Sequence, residues 1–591
     1  MIHLKAPTLD KDRNLLYVGA RDAIYAINPS TMTLEKSITW NVPEDIEEEC
    51  ISKGKSAQDD CFNSVCFLQI YDSSQMYACG TYSYKPKCVF INLDDFSIVE
   101  DSLEDGKGKC PYDPAKEQTG LLVDGELYTA TLTNFLGSES AIQRTSKEGD
   151  TIKTEDHLFN DPNFVGSTYI KESEGSEDED DDKVYFFFNE KALEYDWEVE
   201  QVVARVARVC KGDLGGDRLL QKKWTTFLKA RLVCSRPKEF LYFNRLQGIY
   251  VLRKEDWRDT IIFGVFRAHW ADTDISAVCQ YPLQTVLKAF EGAYKEYNED
   301  SHKWNRYYGE VPSPRPGTCI TKTTRSEGIS SSLEMPAQTL GFVRNHPLMD
   351  DAVKPQDNKP LMYVKDTNFT QIVADQVEGL DGKIYTVLYI GTDEGMLHRA
   401  LLLSSGLRYM RTLMLSNRGW AVKGLILHSE LKVLLAVFNK KVLRISINDC
   451  SAYESCVNCI TSKDPYCGWN KDEQRCVPIA DSDKSAIYQE LESPVDLSLC
   501  ATTARSGIPA VNARSRSGGY RVCPKCIVKN QHDACHMESS TCVISSHGFC
   551  FSRMVMKDGI FRHIERGCIF KCALSSGDVF RCCRDRNFCD I

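Results

Sequence analysis

Apolar and polar positions alternate over short runs through most of the chain, and the runs come in pairs separated by tight turns. The unit appears as LYVGARDAIYAIN (Leu16–Asn28) and MYACGTYSYKPKCVFINL (Met76–Leu93). It returns as KVYFFFNEKALEY (Lys183–Tyr195), YTVLYIGTDEGMLHRAL (Tyr385–Leu401) and KVLLAVFNKKVLRISI (Lys432–Ile447). Alternation with β-branched and aromatic residues predicts half-buried strands. The stretch Asp105–Gly137 holds the pattern in its plainest form: DGKGKCPYDP, whose glycines and prolines force irregular backbone, then a strand through Leu127–Leu132. Short strands repeated at irregular intervals over some 450 residues, with few helical patterns between them, predict an all-β chain in radial repetition, a β-propeller. A sandwich uses far less chain, and a solenoid keeps a tighter repeat.

One segment departs from period two. Pro282–Tyr297 places Leu283, Val286, Leu287, Phe290 and Tyr294 on one stripe at helical spacing, with proline in the first turn, and predicts an amphipathic helix inserted into the β fold. The acidic run Glu172–Asp182 reads as a mobile, solvated loop, and it lacks the glycine-punctuated spacing of a calcium loop. Val311–Gly317 (VPSPRPG) reads as an extended connector. Asn368-Phe369-Thr370 is an acceptor sequon, which makes Asn368 the candidate glycosylation site.

Composition narrows the class. The chain has 591 residues, enough for two or more domains, with 42% hydrophobic and 26% charged residues. A net charge of −11 excludes a broad nucleic-acid face, which needs clustered Lys and Arg. No apolar run is long enough to span a bilayer. The 26 cysteines, denser toward the C-terminus, predict a disulfide framework in an extracellular protein. The chain nonetheless opens MIHLKAPTLDKDR, without the apolar core of a signal peptide, so the reading places the true N-terminus upstream.

Over roughly the first 500 residues the wording resembles the semaphorin family. The matching phrases, in family order, are EECISKGK (Glu48–Lys55), YACGTYSYKPKC, DGKGKCPYDP, VVARVARVCKGD (Val202–Asp213), KKWTTFLKARLVC (Lys222–Cys234) and VPSPRPGTC. In detail they resemble the vertebrate transmembrane class 4. The resemblance implies a seven-bladed sema propeller over 1–447, with a helical insertion in the fifth blade at Pro282–Tyr297. It implies the disulfides Cys50–Cys61, Cys79–Cys88, Cys210–Cys319 and Cys234–Cys279. Cys66 and Cys110 are left without an assigned partner, and Cys66 departs from the family wording. In the family a strand preceding the Leu16–Asn28 motif completes the last blade; only Met1–Arg13 precede it here, which predicts an unpaired strand edge.

The segment 448–500, around DPYCGW (Asp464–Trp469), resembles the small PSI module that follows semaphorin propellers. The implied pairs are Cys450–Cys467, Cys456–Cys500 and Cys459–Cys476. So short a module needs cross-links because it buries little apolar surface. After a basic, small-residue linker (501–520), the family pattern breaks: instead of an immunoglobulin-like domain, 521–591 carries ten cysteines. This tail resembles the three-finger domain of the lymphocyte-antigen and urokinase-receptor type. Its closing CCRDRNFCD has Asp590 where that family has Asn, and one residue more between the cysteines. The pairs implied are Cys523–Cys550, Cys526–Cys535, Cys542–Cys568, Cys572–Cys582 and Cys583–Cys589. Val543–Ser545 and Phe549–Phe551, flanking a Ser-His-Gly turn, read as a hairpin.

Chemistry is sparse. The sequence holds no GxSxG, HExxH or phosphate loop, and no Asp-box of the sialidase propellers. Neither a catalytic nor a metal residue is assigned, and no cofactor. His532 and His536 flank Cys535 but read as exposed histidines beside a disulfide. Lys211-Gly212-Asp213 reads as a turn rather than an integrin-binding tripeptide. The resemblance implies an extracellular, secreted or cell-surface ligand that acts as a homodimer on plexin receptors, of the B type in the closest wording. Such a ligand guides cell migration or axon growth by receptor assembly, without enzymatic activity, nucleic acid or small-molecule substrate. Two alternatives stand beside it: a three-finger tail that is itself the receptor- or channel-binding module with the propeller as carrier, and a propeller hydrolase, disfavoured by the missing Asp boxes.

Overall fold

The computed structural model describes residues 4–501 except 193, 195–200, 269–273, 301–302, 417–418, 481 and 494–496; beyond 501 it describes only the backbone of strand segments between Tyr520 and Cys583. Residues 4–501 form one compact unit and the remainder a second.

In the first unit the alternating runs become seven consecutive antiparallel meanders among the described residues. They begin at Lys5–Asp10, Val65–Ile70, Thr119–Val123, Asn163–Ile170, Arg245–Leu252, Phe369–Glu378 and Gly424–His428. Each sheet's first strand lies beside the first strand of the next. Glycines at these inner positions permit the approach: a Cβ on Gly166 would lie 2.8 Å from Ile249 Cγ1, and one on Gly248 would lie 3.0 Å from the Thr370 carbonyl. The series returns on itself. Leu4, Leu16 and Val18 of the first sheet pack with Val433, Leu435 and Val437 of the last, and the Leu4 N–H donates to the Asn439 carbonyl at 3.0 Å. The last sheet has three strands, and the outer edge of Val442–Ser446 is unpaired among the described residues.

The same seam buries His428, both of whose ring nitrogens lack a partner. Burial lowers its pKa from 6.5, Glu430 opposes the fall and Lys11 adds to it. A folded-state pKa below the unfolded value gives stability that is full above pH 6.5 and lost as pH falls through the folded value. His428→Leu is therefore expected to flatten the acid-side decline of the melting temperature between pH 7.5 and 5.5. An unchanged pH profile would remove His428 from the account.

The insertion lies between the third and fourth strands of the fifth sheet, Ile275–Pro282 and Met362–Lys365. The expected helix ends early: it spans Leu283–Phe290 and buries Leu283, Val286, Ala289 and Phe290. Beyond Gly292 the backbone is taken by tertiary pairing, with the Lys295 N–H donating to Leu348 and the Asp350 N–H to Ala293, so Tyr294 leaves the helical stripe and Lys295–Asn298 becomes a strand. A second helix, Ala337–Asn345, follows within the insertion.

The acidic run is a partial correction: Glu172 and Asp182 are buried and Asp178 and Glu179 are paired, while residues 173–175 and 177–179 keep the exposure expected of a solvated loop. Glu172 is buried and accepts from Lys183 Nζ at 2.9 Å and Tyr185 OH at 2.6 Å. Asp178 accepts from the Thr323 N–H at 3.0 Å, and Glu179 pairs with Arg325 at 2.6 Å, which fastens the loop to the insertion. Composition alone called for solvation throughout; partners about 145 residues away hold Asp178 and Glu179 in place.

Eight disulfides lie within the described residues. Those of the sheets and insertion join Cys50–Cys61, Cys66–Cys110, Cys79–Cys88, Cys210–Cys319 and Cys234–Cys279. The small C-terminal module of this unit holds Cys450–Cys467, Cys456–Cys500 and Cys459–Cys476 around the helix Cys456–Ser462 and the hairpin Cys467–Asn470 with Arg475–Pro478. It shares one apolar cluster with the sixth and seventh sheets, in which Tyr389, Leu397 and Leu434 pack with Tyr466 and Trp469.

In the second unit Tyr520–Pro524 pairs with Thr541–Ser545, and Phe549–Lys557 pairs with both Ile560–Ile569 and Val579–Cys583. Among the described residues the expected hairpin between Val543–Ser545 and Phe549–Phe551 is not formed, because each run takes a different partner strand. The tail's side chains, including its ten cysteines, His532 and His536, lie outside the described residues.

Candidate interaction site

Three of the phrases quoted above and the loop that closes the stretch Asp105–Gly137 converge on one surface. The strand Glu126–Leu132 runs into a tight loop whose Asn134 Oδ1 accepts from the N–H groups of Ser138 at 2.9 Å and Glu139 at 3.2 Å. The Thr133 N–H donates to the Glu139 carbonyl at 2.9 Å, and Gly137 takes φ +67°, a conformation that disfavours any side chain. The loop is therefore rigid, and it presents Leu136 at 83% exposure.

Phe135 turns inward against Tyr84 (centroids 5.2 Å) from the GTYSYKP turn, and Tyr112 (6.3 Å) from CPYDP. From EECISKGK, Lys55 stands 4.2 Å over the Tyr84 ring and 5.2 Å from Phe135, and Lys53 is 5.6 Å from Phe135. The Cys50–Cys61 bridge staples the chain that carries both lysines. Cys66–Cys110 ties the CPYDP turn to the second sheet. The lysine charges differ in availability: Lys53 and Lys85 both pair with Glu49, which lowers that carboxyl's pKa, while Lys55 meets only ring faces among the described residues. Burial, then Asp113 and Asp60, raise the Tyr84 phenol pKa, so the ring stays neutral. A shallow depression of about 120 Å³ lies at this spot, lined by Lys55, Tyr84, Tyr112, Phe135 and Leu136. An exposed leucine on a rigid loop, beside aromatic rings and a cation, fits a protein partner with an apolar recess and a nearby carboxylate.

A second apolar projection lies on the small hairpin Ser235–Arg236 with Leu241–Tyr242, where Phe240 sits at φ +55° and 76% exposure. The adjacent Cys234–Cys279 bridge fixes the base of that hairpin.

Other sequence candidates settle differently. Asp213 is buried and accepts from the N–H and hydroxyl groups of Thr225 and Thr226, so Lys211-Gly212-Asp213 offers no free carboxylate. The half-buried Asn368 amide donates to Asp393 at 2.8 Å. Asp181 lies beside Cys210 and Cys319, but those sulfurs are joined to each other and are not metal ligands. The pairing of Cys66 with Cys110 was missed from sequence; the two were the only unassigned cysteines before residue 448, a signal that elimination would have used.

Comparison with known proteins places this geometry in context. The Sema domain model matches residues 246–429 and the PSI model, described as plexin repeat, matches 449–497. Semaphorin-4C of mouse is 52% identical over 80% of this chain and 56% of its own length. Semaphorin-4D of mouse is 42% identical over 85% and 59%. The chain thus spans less than two thirds of the length of these curated relatives. Among solved structures, Drosophila Semaphorin 2a superposes with a TM-score of 0.74 at 30% identity, covering 83% of this chain and 80% of that one. A chain from the structure of Drosophila Plexin A in complex with Semaphorin 1b superposes with a TM-score of 0.73 at 29% identity, covering 83% and 95%.

Proposed function

The chain belongs to the semaphorin family, and from that premise we propose that it is an extracellular, non-enzymatic signalling ligand that binds and dimerises a plexin through a seven-bladed propeller. The observation that carries the reading is the likeness to a structure whose name pairs Plexin A with Semaphorin 1b. The propeller reading rests on the seven meanders, whose first strands follow one another in a closed cycle. The chemistry is assembly: a homodimer places two propellers so that two receptors meet, and dimerisation adds avidity. A plexin of the B type is the receptor class we propose, with an N-linked glycan at Asn368.

Surface plasmon resonance against a panel of plexin ectodomains tests the reading. Binding to at least one is expected, and monovalent affinity should stay within about 0.5 kcal/mol when 502–591 is removed, as for distant independent sites. Loss of binding on that deletion would favour the tail as the binding module. We assign the receptor contact to the loop at Leu136. Leu136→Glu puts a charge where an apolar recess is required, and a central anchor contributes about 2 kcal/mol or more, so affinity should fall at least about tenfold. Unaltered affinity would move the contact elsewhere. The dimer contact is assigned to Phe240, and Phe240→Glu should shift the sedimentation profile toward monomer with no change in melting temperature.

A further inference from the structure

The second and third sheets meet at a groove of about 350 Å³, within the size range of ligand sites. Its apolar floor is half-buried: Tyr71 and Phe90 of the second sheet, edge to face with centroids 5.1 Å apart, and Leu122 of the third. The strand Ser140–Thr145 supplies Gln143, which is 6% exposed and packs over Gly108, where a Cβ would stand 2.3 Å from its Oε1. The Gln143 carboxamide makes no hydrogen bond among the described residues, yet both of its polar atoms stay open to solvent within the groove. The Thr151 hydroxyl, on the adjoining strand Thr151–Lys153, is open and unbonded in the same way. Three lysines and two acids stand around this floor. Lys109 donates to Glu104 at 2.8 Å and to the Tyr77 hydroxyl at 3.0 Å, so its charge is met inside the wall. Asp105 accepts from the backbone N–H of Lys107 at 3.4 Å. The side chains of Lys107 and Lys147 are exposed and form no ion pair among the described residues. Lys147 crosses Gly125, at φ +81°: a Cβ there would lie 3.0 Å from its Nζ and 3.3 Å from the Tyr71 hydroxyl, so the ammonium stands at the edge of the floor. None of these residues lines the depression at Leu136.

An occupant must answer all of these groups. A cation would meet three lysines against two acids, one of them already bonded to Lys109 and Tyr77. An apolar body would cover the Gln143 carboxamide and the Thr151 hydroxyl without giving either a partner, which is costly. An acidic peptide side chain brings one charge on a methylene stem and leaves the neutral groups to water. An acidic pyranose carries charge, hydroxyls and a C–H face within one ring. Its carboxylate or sulfate accepts from Lys107 or Lys147, its hydroxyls bond Gln143 and Thr151, and its C–H face lies on Tyr71 or Phe90. We propose that this groove binds a uronic or sulfated sugar residue, whether free or within a glycan chain.

The test is saturation-transfer NMR with titration calorimetry on the whole chain. The probes are glucuronic acid and the tetrasaccharides of heparin and chondroitin sulfate; maltotetraose, inorganic sulfate and tetraglutamate are the competitors. A tetrasaccharide is expected to bind with transfer to its ring protons, and no competitor should displace it at equal concentration. Lys107→Ala with Lys147→Ala should weaken binding about tenfold or more, which separates the groove from the basic linker 501–520. Gln143→Ala leaves the net charge unchanged and should weaken binding about threefold or more, an effect that attraction of opposite charges alone would not produce. If that variant fails to fold, the lysine pair, whose side chains are exposed, still decides. Glucuronic acid bound as tightly as the tetrasaccharides points to a free sugar; binding of the tetrasaccharides alone points to a glycan chain. Undiminished binding in the lysine pair or in folded Gln143→Ala, displacement by any competitor at equal concentration, or no transfer to any acidic sugar would overturn the assignment.

Discussion

Asp464→Ala is expected to destabilise the first unit by about 3–5 kcal/mol, the cost of leaving a buried charge without its partner. Asp464 belongs to DPYCGW in the PSI module, and its Oδ1 accepts from Arg399 Nη2 of the sixth sheet at 2.8 Å. Both residues are buried. Burial works against the Arg399 charge, but Asp464 together with Tyr389, Tyr466 and Tyr453 outweighs it and raises the guanidinium pKa. Tyr453 OH donates to Asp464 Oδ2 at 2.9 Å, and the Arg399 guanidinium stands 4.9 Å over the Tyr466 ring, whose OH in turn donates to Asp375 at 2.5 Å. The module is therefore fixed to the sheets by charge and hydrogen bonds as well as by the shared apolar cluster. Removal of Asp464 strands Arg399, whose Nε already lacks a partner. The double variant Arg399→Met with Asp464→Leu should recover much of the loss, because well-packed apolar side chains often replace a buried ion pair at little cost. Chemical denaturation, with limited proteolysis between the module and the sheets, measures both. A loss under about 1 kcal/mol for Asp464→Ala would mean that the apolar cluster alone holds the module.

Much of this architecture was legible in sequence because strands announce themselves by a local period. The runs at Leu16–Asn28 and Lys432–Ile447 became paired strands, since alternation decides which face is buried. What eluded the sequence depended on which partners the fold brings to each group, some near along the chain and some far. Glu172 is buried because Lys183 and Tyr185 meet it, and Asp178 is ordered because Thr323 donates to it from 145 residues away. The helix Leu283–Phe290 ended sooner than its stripe because Leu348 and Asp350 compete for the backbone around Lys295. The candidate site was half legible: its phrases could be quoted one by one. That Lys55, Tyr84, Tyr112 and Phe135 share one surface follows only from the order of the sheets.

The last sheet sets the second large expectation. Its outer strand, Val442–Ser446, pairs on one side only, and Val442, Leu443 and Ile445 remain half-buried. The other six sheets hold four or five strands. The Leu4 N–H donates to the Asn439 carbonyl, in the turn that leads into Val442–Ser446, so Leu4 itself lies beside that turn. An N-terminal extension of about eight residues with alternating Val and Thr should add a fourth strand there. Each half-exposed aliphatic side chain that it covers contributes about 0.8–1.5 kcal/mol, so the three together should raise stability by about 2–4 kcal/mol. The same pairing removes a row of free N–H and C=O groups that otherwise templates association. The expected result is a melting temperature several degrees higher, less aggregate on size exclusion, and a larger secreted yield. An extension of equal composition with proline at alternate positions should give none of these, because proline has no N–H for the ladder. Equal melting temperature and yield for the two extensions would mean that the edge is closed by other means.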